Sequence, residues 1–324
     1  MENRGVASVN AADRLDWVDV ARGIGIMAVV IGHVWTHGPV RDAMYSFHMP
    51  LFFLLSGMLS RPQAILRFTR RQFVGQIRPY AAFLLLLILA DQIIEPLKGG
   101  RPIFHDWPRD IVPILLGGTW LRGPYTIFWF VPCLMVARIA FNAVLTRWPD
   151  PFDWHWALLL PPLLLLAYAL GSLLPESPWG LAAVPMGLFL LWTGLAASRV
   201  QWRTSMLWLL APLALAGLGG VVPTLNMKIA DYGWPLLSIG AAIATSLLIV
   251  QLSRRIASHA APLAALGRAS LVIMYLHVAL IHYCTPILGG TMPGKIALAL
   301  IALALPFAID RLIRLSPRAR SWLL

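Results

Sequence analysis

The sequence predicts an all-α polytopic membrane protein with about ten transmembrane helices and both termini in the cytoplasm. Of its 324 residues, 59% are hydrophobic and only 12% are charged, and the mean hydropathy is +0.73. Soluble domains are about 45–50% apolar and about 25% charged, so this composition excludes the soluble enzyme folds. The net charge of +12 lies in short clusters between apolar runs rather than along one solvated face, and we therefore expect no nucleic-acid partner.

Ten apolar runs are candidates for transmembrane helices, since about 20 residues cross the hydrocarbon core. The predicted spans are 17–37, 44–60, 79–95, 127–146, 155–172, 180–198, 205–222, 234–252, 269–287 and 295–313. The apolar run 111–119 is too short to cross, and we interpret it as a re-entrant or interfacial piece. The predicted organisation is a cytoplasmic N-terminal segment 1–16, a single transmembrane domain 17–313 and a cytoplasmic tail 314–324.

Lysine and arginine residues are divided unequally between alternate loops. With the N-terminus inside, 17 of the 26 basic residues lie on the inner side and seven on the outer side, counting Arg311 and Lys295 near the two ends of the tenth span, and Arg22 and Arg138 lie within other spans. Loops rich in lysine and arginine stay in the cytoplasm during insertion. The asymmetry therefore predicts this orientation for the whole set of spans.

The first span carries two ionisable residues on one helical face. Arg22 and His33 are eleven residues apart, so at about 100° per residue they lie within roughly 20° of each other and about 16 Å apart along the axis. An ionisable residue within a span costs about 2.5–3.5 kcal/mol on insertion scales, which marks a candidate functional residue. Asp19 has the spacing of an intrahelical ion pair with Arg22. The alternative for Arg22 is an interfacial anchor that extends to the lipid headgroups.

Two further histidines lie within predicted spans. His48 is near the start of the second span, at a depth similar to that of His33, and Pro50 distorts the helix beside it. His277 lies in the middle of the ninth span with Tyr275 nearby; its structural alternative is a hydrogen bond to a neighbouring helix. Neutral imidazoles in a low-dielectric cavity suit proton transfer from a hydroxyl, and a histidine can also carry an acyl group covalently.

The predicted cytoplasmic loop 61–78 contains a basic cluster. Arg67, Arg70 and Arg71 lie within five positions. Such clusters commonly fix topology and contact anionic lipid. Arginine forks also bind phosphate, so this cluster is a candidate for attracting a phosphorylated donor such as coenzyme A. No metal site is predicted, because the histidines lack carboxylates at ligand spacing.

Four ordered motifs resemble those of transmembrane acyltransferase family 3, whose members O-acylate bacterial cell-surface glycans. The motifs occupy 19–26 together with His33, 46–53 together with Ser56 and Gly57, 129–132, and 266–277. The G-I-G-I and F-H-M-P-L-F-F wording of the first two is similar to the fucose 4-O-acetylase-like subgroup. In this chain Arg22 and His33 match the essential pair of the family.

The resemblance implies an O-acyltransferase of the bacterial inner (cytoplasmic) membrane. It would take an acetyl group from cytoplasmic acetyl-CoA, a donor substrate rather than a permanently bound cofactor. The acceptor would be a sugar hydroxyl of an exopolysaccharide, an O-antigen or a lipid-linked glycan precursor, and the other partners would be the lipid bilayer and polysaccharide-assembly proteins. The catalytic candidates are His33, His48 and Arg22, the donor-binding candidates are Arg22, Arg70 and Arg71, and the supporting candidates are Asp19, Ser56, Trp129, Tyr275 and His277.

Two other functions fit the same residues. A secondary transporter or flippase of glycan or acyl intermediates would use Arg22 and the histidines as a proton relay. A scaffold subunit of a polysaccharide export complex would need the histidines only for folding. Covalent acetyl transfer that depends on His33 distinguishes the enzyme from both alternatives.

Overall fold

The computed structural model describes residues 11–174 and 176–324, and in these ranges it contains helices and loops but no β-strand. The predicted cytoplasmic segment 1–16 falls largely outside the described residues. The helices are α1 (Ala11–Val34), α2 (Pro39–Tyr45), α3 (His48–Met58), α4 (Ile65–Leu97), α5 (Ile111–Leu116), α6 (Phe130–Arg147), α7 (Trp154–Leu173), α8 (Val184–Arg199), α9 (Thr204–Leu218), α10 (Leu237–Ile256), α11 (Ala261–Arg268), α12 (Ser270–Leu288), α13 (Met292–Leu315) and α14 (Pro317–Leu323).

Eight helical stretches among the described residues are long and apolar enough to cross a membrane, which confirms an all-α polytopic membrane protein. Each of the eight overlaps one predicted span. The predicted second and seventh spans are the shorter helices α3 and α9, of 11 and 15 residues. The second run is divided because the backbone at Phe47 (φ −143°, ψ −21°) is not helical, so a turn separates α2 from α3.

Helix α4 is longer than the predicted third span. It has 33 residues, and its first half contains most of the predicted basic loop 61–78. The reason is that this stretch is amphipathic: Phe68 and Gln72 are buried, whereas Arg67, Arg70 and Arg71 are exposed. The basic cluster therefore lies on a helix rather than in a loop.

Two pairs of helices approach each other closely at glycines. A Cβ added to Gly57 of α3 would overlap the carbonyl oxygen of Leu191 in α8, and one added to Gly194 of α8 would overlap that of Leu54 in α3. In the same way α1 contacts α11, where a Cβ at Gly267 would overlap a backbone oxygen of α1. Small residues allow this approach of backbones, which positions α3 and α1 firmly in the bundle.

Both ends of the described chain lie at the same end of the bundle. Arg314, near the end of α13, donates a hydrogen bond to the carbonyl oxygen of Arg268 at 2.9 Å, and Arg268 lies 3.7 Å from Asp19 in the first half of α1. An even number of crossings produces this arrangement. The charge distribution predicts that this end faces the cytoplasm.

A buried carboxylate attaches the segment 98–122 to the bundle. Asp91 of α4 is fully buried and accepts hydrogen bonds from the hydroxyl of Tyr283 in α12 and from the backbone N–H of Ile103, both at 2.7 Å. The helices in this segment are α5 and the short 3-10 helix Gly118–Trp120, and the six residues of α5 are too few to cross a bilayer. Asp91 thus fixes this irregular segment against two long helices.

We expect the Asp91→Ala substitution to lower the free energy of unfolding by about 1–3 kcal/mol, because it leaves two donors without a partner. The measurement is thermal unfolding of the purified protein in detergent. Asp106→Ala is the matched control, since that carboxylate is exposed and only pairs with Arg109. Equal unfolding midpoints for the two variants would contradict the anchoring role.

Candidate functional site

Three histidines from three helices form one cluster. His33 is near the end of α1, His48 is the first residue of α3, and His277 is in α12. The ring centroid of His33 lies 5.0 Å from that of His277 and 6.5 Å from that of His48. His277 is fully buried and His48 is 2% exposed. The turn at Phe47 allows α3 to start beside α1, which is why the two predicted imidazoles meet.

The hydrogen bonds of the cluster define its tautomers. In each ring Nδ1 contacts the carbonyl oxygen four residues earlier, at 2.8 Å for His33, 2.7 Å for His48 and 2.8 Å for His277. A carbonyl oxygen only accepts, so Nδ1 carries the hydrogen of the neutral ring and Nε2 keeps the lone pair. Nε2 of His277 lies 3.4 Å from Nδ1 of His33. Among the described residues Nε2 of His33 and of His48 has no hydrogen-bond partner, so both are available as bases.

A cavity of about 180 Å³, here named the histidine pocket, lies against this cluster. It lies at the end of the bundle opposite to the start of α1, since His33 is in the last turn of that helix. Its lining residues are His33, Tyr45, His48, Met49, Thr126, Ile127, Trp129, Leu225, Asn226, Met227 and Lys228. The ring of Tyr45 packs edge-on against that of His48, with centroids 4.8 Å apart. Imidazole, phenol, amide and indole groups in one small pocket can bind a polar ligand and its hydroxyls.

A second cavity, of about 880 Å³, lies at the other end of the bundle and is here named the arginine cavity. The cationic side chains that line it are Arg22, Arg138, Arg268, Arg314 and Arg320. Asp19, Ser56 and Tyr275 also line it, together with apolar residues of α1, α3, α6 and α12. The cavity is large enough for an extended ligand, and its lining carries a clear excess of positive charge.

The acidic partners in the arginine cavity are few. Asp19 lies 3.6 Å from Arg22 and 3.7 Å from Arg268, so one carboxylate serves two guanidinium groups. Arg314 is held in a bidentate pair by Asp310, at 2.7 and 3.0 Å. The Nε atom of Arg138 is buried without a hydrogen-bond partner among the described residues. Donors left free in this way suit a polyanionic ligand such as a phosphate ester.

The two cavities share part of their lining. Met49 and Ile127 line both of them. Arg22 lines the arginine cavity and His33 lines the histidine pocket, on the shared face that the eleven-residue spacing in α1 predicts. Met49 and Ile127 therefore lie between the two cavities.

The predicted site residues divide into two groups and an outlying pair. The histidine pocket is lined by His33, His48 and Trp129. His277 is not among its lining residues but contacts the ring of His33 through Nε2. The arginine cavity is lined by Asp19, Arg22, Ser56 and Tyr275. Arg70 and Arg71 are exposed on α4 and are not among the residues that line either cavity; Arg71 donates a hydrogen bond to Gln63 instead.

Sequence reasoning missed several cavity residues. Arg138 lies within a predicted span, so the rule that identified Arg22 could have found it. Arg314, Arg320 and Lys228 lie outside the motifs, and no local pattern connects them with the cavities. They reach the cavities only because α13, α14 and the loop after α9 fold back over the bundle.

Comparison with known sequences identifies the family. The sequence profile of the family described as "Acyltransferase domain" matches residues 15–311, which include all four motifs, the three clustered histidines and Arg22. No curated protein and no solved structure matches the chain. The match covers most of the chain and includes every one of the predicted site residues. The chain therefore belongs to acyltransferase family 3 and is a membrane O-acyltransferase.

Proposed function

We propose that this protein transfers an acetyl group from cytoplasmic acetyl-CoA to a sugar hydroxyl of an exopolysaccharide, an O-antigen or a lipid-linked glycan precursor. The observation that carries the proposal is a pair of unlike cavities separated by Met49 and Ile127, one lined by arginines and the other by histidines. A donor and an acceptor that approach from opposite ends would have their reactive groups brought together there. The resemblance to the fucose 4-O-acetylase-like subgroup supports a sugar hydroxyl as acceptor.

The arginine cavity suits the donor. Coenzyme A carries several phosphate groups, and Arg22, Arg138 and Arg268 supply guanidinium forks that bind phosphate oxygens. The orientation predicted from the charge distribution makes this cavity cytoplasmic, which is where acetyl-CoA is found. We therefore assign donor binding to this cavity, in the inner membrane of a bacterium with polysaccharide-assembly proteins as partners.

The histidine pocket suits activation of the acceptor hydroxyl. Nε2 of His33 takes the hydroxyl proton while the hydroxyl oxygen attacks the thioester carbonyl carbon. The carbon–sulfur bond then breaks, and the coenzyme A thiolate leaves with the proton from the His33 imidazolium. His277, at 3.4 Å from Nδ1 of His33, holds the ring in the orientation that leaves Nε2 free. In the alternative covalent route, a histidine would first become acetylated and then transfer the group to the sugar.

The test is transfer of radiolabelled acetyl from acetyl-CoA to cell-envelope glycan in membranes that contain the protein. We expect labelled glycan in these membranes and none in membranes without it. Label that stays on the protein when acceptor is withheld would favour the covalent route. A lack of transfer across a broad panel of glycans, together with movement of an unmodified glycan or acyl compound, would favour the transporter.

We expect the Arg138→Met substitution to raise the KM for acetyl-CoA by about tenfold or more, because a hydrogen bond to a charged group contributes about 1.5–3 kcal/mol. The measurement is the acetyl-transfer rate as a function of acetyl-CoA concentration. Arg70→Met is the matched control, since Arg70 is exposed and lies outside the cavity. A rise in KM for Arg70→Met alone would instead assign the donor to the basic cluster on α4.

A further inference from the structure

A single lysine lies at the wall of the histidine pocket. Lys228 belongs to the short 3-10 helix Met227–Ile229 in the loop after α9. Its Nζ donates hydrogen bonds to the hydroxyl of Thr126 at 2.6 Å and to the carbonyl oxygen of Leu121 at 2.9 Å. Both acceptors are neutral, and they hold the ammonium group beside the pocket that it lines.

The surroundings of Lys228 contain more positive than negative charge. Within the described chain no carboxylate oxygen lies within 4.0 Å of its Nζ, and no acidic residue lines the histidine pocket. Arg41 stands over the ring of Tyr45, which lines the pocket, and it already neutralises Asp42 at 2.8 Å. Arg122 is exposed nearby and increases the positive potential at Lys228.

An ammonium group in this position is unfavourable without a counter-ion. Burial, helped by the positive charge of Arg122, lowers the pKa of Lys228 to about 8, so the side chain still carries its charge at neutral pH. Removing a charge from water costs free energy unless an opposite charge compensates it. The protein supplies hydrogen bonds but no anion, so an anionic group of a ligand would complete the site.

We propose that the acceptor sugar carries an anionic group beside the hydroxyl that is acetylated, and that Lys228 binds this group. The inference rests on the proposed function, which assigns the acceptor to the histidine pocket. A pocket of about 180 Å³ accommodates one sugar ring with its substituent. Asn226 supplies an amide to the lining of the same pocket. The anion is a carboxylate of the sugar itself or a phosphate that links the sugar to its lipid carrier.

The experiment compares acceptors that differ only in charge. One pair is a glycan that contains uronic acid and the same glycan with its carboxylates converted to primary amides, which are neutral and of similar shape. The second pair is a neutral glycan attached to a polyprenyl diphosphate and the same glycan in free form. For the wild-type protein we expect kcat/KM to be about tenfold higher for the charged member of one pair. The pair that shows the preference identifies the source of the anion.

Variants of Lys228 separate recognition from a structural role. Lys228→Met should remove the preference for the charged acceptor while transfer to the neutral one continues, and Lys228→Arg should retain much of it. Lys98→Met is the matched control, because Lys98 lies outside the pocket and pairs with Glu95. This variant should keep the wild-type preference for the charged acceptor. Higher salt should weaken the preference in the wild-type protein, because the site is partly open to solvent.

Three outcomes would overturn the inference while leaving the acyltransferase intact. The first is equal transfer to charged and neutral acceptors by the wild-type protein, and the second is an undiminished preference for the charged acceptor in Lys228→Met. The third is an equal loss of transfer rate on all acceptors in Lys228→Met, which would indicate that Lys228 only fixes its loop to residues 121–126. Failure of the wild-type protein to acetylate any acceptor would instead overturn the proposed function, and the inference with it.

Discussion

Substitution of His33 by alanine is expected to lower the rate of acetyl transfer by about 10²–10⁴-fold, the contribution typical of general acid–base catalysis. His33 lines the histidine pocket, and its Nδ1 donates a hydrogen bond to the carbonyl oxygen of Val29, so Nε2 is the free base. His48 lines the same pocket but is more deeply buried, and His277 uses its Nε2 against His33. Loss of the His33 ring therefore removes the base and leaves no group at the same position to replace it.

The measurement is kcat with radiolabelled acetyl-CoA in membranes that contain equal amounts of each protein. His37→Ala is the control, because His37 is exposed in the loop after α1 and its ring forms a hydrogen bond with the neighbouring hydroxyl of Thr36. We expect the control to keep the wild-type rate. A His33→Ala protein that inserts normally and transfers acetyl at the wild-type rate would exclude His33 both as the base and as a covalent carrier.

Substitution of Gly57 by alanine is expected to cost about 1–3 kcal/mol in the free energy of unfolding and to reduce the amount of folded protein in the membrane. The added Cβ would overlap the carbonyl oxygen of Leu191, so α3 and α8 would have to separate. Because α3 begins with His48, the separation would also disturb the histidine cluster. Gly194→Ala, on the opposite side of the same contact, is expected to have a similar effect.

Gly75→Ala is the control for the helix contact. Gly75 lies within α4, and an added Cβ there would have no atom within 4 Å. Alanine is favoured over glycine in a helix by about 0.5–1 kcal/mol, so this variant should unfold at the wild-type temperature or slightly above it. Thermal unfolding in detergent compares the variants. If Gly57→Ala and Gly75→Ala unfold at the same temperature, the contact between α3 and α8 is not under steric constraint.

The sequence predicted most of the helices because hydrophobicity along a span is a local property. Eight predicted spans correspond to long helices, and the divided second span could not be foreseen because the turn at Phe47 lies inside an apolar run. The first half of α4 was predicted to be a loop because this stretch is rich in arginine. It is an amphipathic helix, because Phe68 and Gln72 on one face are buried against the bundle.

The candidate site was predictable where its geometry lies within one helix. Arg22 and His33 share a face of α1, and helical periodicity is sufficient to predict it. The contact between His33 and His277 joins residues 244 positions apart, and the spacing of residues within either span contains no information about it. Helix packing also brings the arginines of α11 and α13 into the arginine cavity, and no local pattern predicts it. Arg70 and Arg71 are adjacent in the sequence, so they were predicted to bind the donor although they are exposed on α4.

Met49 and Ile127, which line both cavities, also bear on the electrical insulation of the membrane. A continuous polar path through the bundle would conduct protons and dissipate the transmembrane potential that the cell maintains. Two apolar side chains between the cavities interrupt such a path. The two cavities can therefore lie one after the other in the bundle without forming a conduit for ions.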